Sequence, residues 1–168
     1  MEERYEFDEV TLLSPFAVGV PGKRTFFLGI GDKNRWVRIW VEKEHLQGLN
    51  QAIDQLFLIL SQEHIRFTDE AEAPPSHDDT PLGLPQAELD IVQITLGYDE
   101  KGKSIMEVLV QPAGAQEPNP AEVYCVATIA QLKKLHRQTK NIIAAGRPLC
   151  PICGGPIDPT GHVCPKKN

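Results

Sequence analysis

Two apolar stripes constrain the fold of this chain more than anything else in it. Leu46, Leu49, Ile53, Leu56, Phe57 and Leu60 recur at spacings of 3, 4, 3, 1 and 3. That is the one-sided periodicity of an amphipathic helix, and it predicts a helix over about 43–62. Leu132, Leu135, Ile142 and Ile143 lie 86 positions after Leu46, Leu49, Leu56 and Phe57. They predict a second helix in the same phase, capped by Thr128. It should end near Ala145, with Gly146 and Pro148 as the stop. Thr139, where the first helix has Ile53, is the one mismatch.

Three strand-like runs precede each helix. Before the first come Tyr5–Leu13, with Ser14-Pro15 as a break or edge feature, then TFFLGIG (25–31) and RWVRIWV (35–41). Before the second come 89–99, 104–111 and 122–127. In 35–41 the strand period of 2 puts Val37, Ile39 and Val41 on one face and Trp36, Arg38 and Trp40 on the other. Pro21-Gly22 marks a turn.

The expected architecture is α+β: two βββα repeats with mostly antiparallel strands, packed as one domain because neither closes a core well alone. The predicted division is a first repeat over 1–67, an acidic Pro-rich linker over 68–86, a second repeat over 87–147 and a zinc knuckle over 148–168. The linker has five acids and four prolines, too little apolar surface to offset its ordering entropy. A cleft between the repeats is the expected ligand site.

The tail, CPICGGPIDPTGHVCPKKN, carries the most specific chemistry. Cys150 and Cys153 stand at chelating spacing before a glycine, and His162-x-Cys164 supplies a second pair across a turn-forming connector. Cys150, Cys153, His162 and Cys164 make a tetrahedral Cys₃His set for Zn²⁺, with iron as the other metal that thiolates accept. Four ligands close the shell, so the zinc is read as structural. With few large apolar residues nearby, metal binding would supply the folding energy of this segment.

Charge is split along the chain. Residues 1–130 hold 10 Lys and Arg against 22 Asp and Glu, a net of −12, whereas residues 131–168 hold 7 against 1, a net of +6. Cationic candidates for ligand or partner contact are Lys23, Arg24, Arg38, Lys133, Arg137 and Arg147, with Trp36 and Trp40 as stacking surfaces. An acidic chain is a poor default nucleic-acid binder, and the tail has no recognition helix or base-stacking aromatic. The N-terminal sequence has no apolar run of secretory type, and no stretch approaches the ~20 apolar residues of a membrane span. The expectation is therefore a soluble, cytoplasmic chain without membrane insertion, its thiols reduced. Cys125 reads as a buried, inert thiol, with His136 on a different element. His45, His64 and His77 read as surface residues.

The stretches VPGKRTFFL (20–28), VEKEHLQGL (41–49) and AAGRPLCPICGGPIDPTGHVCPKKN (144–168) resemble a bacterial family of unknown function, DUF 3090, described only as a repeat protein. The resemblance covers both halves and the tail, and the 68–86 arm is longer and more acidic than the family pattern. Members resemble parts of a trio with a lipid-kinase-like and a histidine-phosphatase-like protein, which implies phosphorylated small molecules by association only. The resemblance carries no catalytic residue.

Taken together, the sequence points to a binding or adaptor module with a structural zinc. An enzyme acting on a phosphorylated small molecule is the alternative, and RNA binding through the basic end is a third reading.

Overall fold

Why a sheet forms here, and on which side the helices lie, follows from the alternation. In a computed structural model of the chain, which describes residues 3–20, 23–62, 83–99, 101 and 103–145, the two helices occupy the predicted places: α1 is Lys43–Gln62 and α2 is Ile129–Ala145. Seven strands surround them: β1 (Glu3–Phe7), β2 (Leu12–Val18), β3 (Thr25–Gly31), β4 (Trp36–Val41), β5 (Ala87–Tyr98), β6 (Ser104–Pro112) and β7 (Ala121–Ala127). They form one sheet in the order β1-β7-β6-β5-β4-β3-β2. β1 pairs with β7 and β4 with β5 in parallel, and the other neighbours are antiparallel.

The expected first strand over 5–13 is corrected here. It is two strands, divided at 8–11, which pair at opposite edges of the sheet. Of the two readings of Ser14-Pro15, the edge feature holds: the pair lies inside β2, where Pro15 pairs opposite Leu28. β2 is an edge strand, and an edge is where a residue without an N–H can be accommodated.

That division forces the sheet to curl. Six inter-strand spacings would separate the outer strands by about 29 Å if the sheet were flat. The link from Phe7 to Leu12 reaches only about 18 Å. The curl is fastened at several points. Thr11 N donates to the Gly31 carbonyl at 2.9 Å. Arg35 donates to the Glu6 carbonyl at 2.8 Å and lies over the Phe7 ring. Gln131 Nε2 donates to the Val10 carbonyl at 2.6 Å. α2 leaves from β7 near one edge yet packs on β2 at the other, so the helices lie within the curve.

The concave face holds the core. Leu28, Ile30, Val37, Ile39, Leu89, Met106, Val108, Val110, Val123 and Cys125 meet Leu46, Leu49, Ile53 and Leu60 of α1 and Leu132 and Leu135 of α2, all buried. A capping box starts α2: Thr128 Oγ1 accepts from Gln131 N at 3.1 Å, and Gln131 Oε1 accepts from Thr128 N at 2.9 Å.

The two three-stranded meanders, β2-β3-β4 and β5-β6-β7, join through the parallel β4–β5 ladder from Val37↔Ala87 to Trp40↔Asp90. At that join the sheet is continuous. The described residues thus form one α+β domain, with two helices clasped by one sheet.

Candidate functional site

The convex face of the sheet carries what the core leaves over. Three cross-strand rows run outward over β2, β3 and β4: Phe16–Phe27–Trp40, Ser14–Gly29–Arg38 and Leu12–Gly31–Trp36. The sequence-predicted stripe of Trp36, Arg38 and Trp40 therefore exists, with Phe27 at its centre. Phe27 stacks on Phe16 with centroids 4.9 Å apart and meets Trp40 edge-on at 5.4 Å. The Arg38 guanidinium lies 4.9, 5.4 and 5.5 Å from the Phe27, Trp36 and Trp40 ring centroids. Three rings thus present their electron-rich surfaces to one cation, each contact worth ~0.5–1 kcal/mol at an exposed position.

Arg38 is further fixed by Glu88, one strand away, at 2.6 Å from Nη1. Its Nε is shut off from solvent and has no hydrogen-bond partner among the described residues, while about a quarter of the side chain (28%) remains exposed. Glycine makes this arrangement possible. A Cβ on Gly29 would press on Phe16 and Leu12 at 3.0 and 3.3 Å, and one on Gly31 would overlap Trp36 and the Arg35 carbonyl. Trp36 is 5% exposed, and its Nε1 donates to the Gly83 carbonyl at 3.3 Å. It supports the cluster from below, while Trp40 and Arg38 remain half-buried at the surface. Such a surface can stack a planar group and offer a preorganised cation to an anion.

The other sequence-predicted residues are dispersed. Lys23 and Arg24 lie at the β2–β3 hairpin end. Lys133 and Arg137 are exposed, four positions apart on α2, with Lys140 continuing their line. Arg147 and the metal-ligand set Cys150, Cys153, His162 and Cys164 lie outside the described residues, as do His64, His77 and Pro21-Gly22. Among the described residues no group of His, Cys, Asp and Glu could hold a metal.

Cys125 is fully buried on β7, and burial pushes its thiol up to about 12. It is an inert core residue at neutral pH. His136 is engaged elsewhere: Nε2 is 3.0 Å from Asp54 Oδ1, and its carbonyl accepts from Asn50 Nδ2 at 3.2 Å, tying α2 to α1. His45 Nδ1 accepts from Glu42 N at 2.9 Å at the start of α1.

Sequence reasoning missed Phe27 and Glu88, because only strand register brings them to Arg38. A signal existed for Phe27: of the adjacent pair Phe26-Phe27, one ring had to face outward.

No described helix is long and apolar enough to cross a membrane. No curated protein matches the chain, and no solved structure matches it. The family described as Protein of unknown function (DUF3090) matches residues 5–164. The chain belongs to that family.

Proposed function

We propose that this protein is a binding module of two βββα repeats, with a structural zinc in its tail and a recognition surface on the convex face around Arg38. The observation that carries the recognition surface is the Arg38 guanidinium held among Phe27, Trp36 and Trp40 and partly open to solvent. A cation fixed in this way has lost its rotamer freedom before any ligand arrives, which lowers the cost of binding. The favoured ligand has an anionic group, phosphate or carboxylate, next to a planar or apolar body.

Register supports the repeats. Val37, Ile39 and Val41 of β4 are followed 86 positions later by Val123, Cys125 and Ala127 of β7, the offset that relates the two helices. Their antiparallel partners match as well: Ile30 and Leu28 in one meander, Val108 and Met106 in the other. Ala87 and Leu89 lie beside β4 as Tyr5 and Phe7 lie beside β7. On this reading β1 and β2 are the two halves of a strand that β5 keeps whole.

For the tail, the support is the donor set itself: three thiols and one imidazole at zinc spacing, Cys150, Cys153, Cys164 and His162. The site is tested by metal content and thiol alkylation read by mass. The native metal-loaded chain should take no iodoacetamide label. After chelation it should take three, on Cys150, Cys153 and Cys164, and in urea a fourth, on Cys125. A chain purified without stoichiometric metal, with its tail thiols freely labelled, would refute the zinc site. The recognition surface is tested by thermal shift against phosphorylated metabolites and acidic peptides. A stabilising ligand should lose its effect on Arg38→Gln, and an undiminished shift would place recognition elsewhere.

A further inference from the structure

The β2–β3 hairpin end differs from the rest of the surface in three respects at once. From Val10 to Gly31 the chain has no Asp or Glu, although it holds 23 of them in all. Val18 and Val20 are 52% and 64% exposed, among the most open large apolar side chains described. Lys23 and Arg24 follow two positions later, Lys23 exposed and Arg24 half-buried, with its Nε shut off from solvent and without a hydrogen-bond partner among the described residues. The last β3–β4 rung is Phe26 with Val41, so Val18 to Arg24 reaches beyond the neighbouring strand. Lys23 N donates to the Val20 carbonyl at 2.9 Å. Gly19 has φ +105, and a Cβ there would meet the Lys23 carbonyl oxygen at 2.7 Å. Behind it Phe16 and Trp40 continue the apolar surface on the same face.

The other meander provides the comparison. Its hairpin end, after Tyr98, is polar: Asp99 Oδ1 accepts from Lys101 N and Lys103 N at 2.9 and 2.8 Å. Two hairpins of similar construction thus carry opposite surfaces, and hairpin folding alone does not require exposed valines.

We propose that the β2–β3 hairpin end docks on the surface of an anionic bilayer. Val18 and Val20 enter the headgroup boundary, Lys23 and Arg24 face lipid phosphates, and Trp40 lies at the level where tryptophan concentrates in membranes. A protruding apolar end with cations behind it suits a soft, deformable surface better than a protein partner, which would need a matching pocket. The proposal shares Trp40 with the Arg38 surface but requires no ligand there.

The test is co-sedimentation of the full chain with vesicles of pure phosphatidylcholine and of phosphatidylcholine mixed with phosphatidylglycerol. Binding is expected only to the mixed vesicles, and it should weaken with salt. Val18→Ser/Val20→Ser and Lys23→Gln/Arg24→Gln should each lower vesicle affinity roughly tenfold or more. Lys101→Gln/Lys103→Gln on the other hairpin should not, and melting temperatures should stay at the parent value. Three results would overturn the proposal: no binding to the mixed vesicles, equal losses from the two lysine-containing pairs, or full competition by soluble poly-L-glutamate, which would make the end an acidic-peptide site.

Discussion

Thr139 is a buried residue whose chemistry does not match its surroundings. It is fully buried in α2, where α1 has the equally buried Ile53, and its Oγ1 has no hydrogen-bond partner among the described residues. A buried hydroxyl left unpaired costs ~1–3 kcal/mol. Thr139→Val exchanges that hydroxyl for a methyl of nearly the same size, removing the penalty and adding a little apolar contact. Allowing for imperfect fit of the new methyl, the expected gain is about 1–2 kcal/mol. In a chain of this length each kcal/mol moves the melting temperature by ~2–4 °C, so a rise of roughly 3–6 °C should follow. Thr139→Ser is the control: it keeps the hydroxyl and deletes the methyl, and should cost ~1 kcal/mol. Calorimetry and urea titration of the three proteins measure both changes. A Thr139→Val protein less stable than the parent would refute the reasoning, because it would mean the hydroxyl is making a bond worth keeping.

Two further predictions concern the β3–β4 turn. Gly31→Ala drives a Cβ into Trp36 and the Arg35 carbonyl, and because the obstruction is largely backbone it should cost about 3 kcal/mol or more in urea unfolding. Asp32 Oδ1 accepts from Asn34 N and Arg35 N at 2.8 and 3.1 Å, and these bonds, the one from Asn34 first, hold its carboxyl below the ordinary 3.8. A lowered folded-state value contributes stability above the unfolded value and loses it as pH falls through the folded one. Asp32→Ala should therefore unfold earlier than the parent at neutral pH, and the gap should close in acid below 3.8; a gap that persists there would show that the charge is not involved.

The sequence disclosed local order well and long-range closure poorly. Both helices carry apolar stripes, the second interrupted only at Thr139, so their limits were legible to within a residue. The alternation in β4 likewise separated Val37 and Ile39 from Trp36 and Arg38. The division between β1 and β2 was hidden because Glu9-Val10-Thr11 continues a plausible strand composition. Only the pairing of Phe7 with Cys125 and of Leu12 with Gly31 pulls the two pieces apart. Pro15 left a break and an edge both open for a related reason: a missing N–H breaks an internal strand but not an edge, and edge position is a property of the whole sheet. The Thr128-x-x-Gln131 capping box was readable in the sequence. The second bond of Gln131, to the Val10 carbonyl, was not, since the two lie 121 positions apart. Arg38 was legible as a candidate, but its rings and its carboxylate come from three strands, and register alone selects Phe27 and Glu88 from their neighbours.

The outer faces of the two meanders differ in chemistry. Opposite Phe16–Phe27–Trp40 in the first stands Gly97–Ile105–Val126 in the second, and opposite Ser14–Gly29–Arg38 stands Thr95–Glu107–Tyr124. The concave sides do not differ in this way, because both face an apolar helix stripe with mainly aliphatic side chains and Met, Cys or Ala at the sheet. The aromatic cover also requires its own supports: Gly29 and Gly31 leave room for Phe16, Leu12 and Trp36, whereas the matching positions of β6 are Glu107 and Leu109. Glycine weakens a strand, so two of them under one cluster are a cost borne by β3 alone. Packing of the core gives no reason for that cost. The cluster of rings and cation on the open face does, since Gly29 and Gly31 are what leave it room.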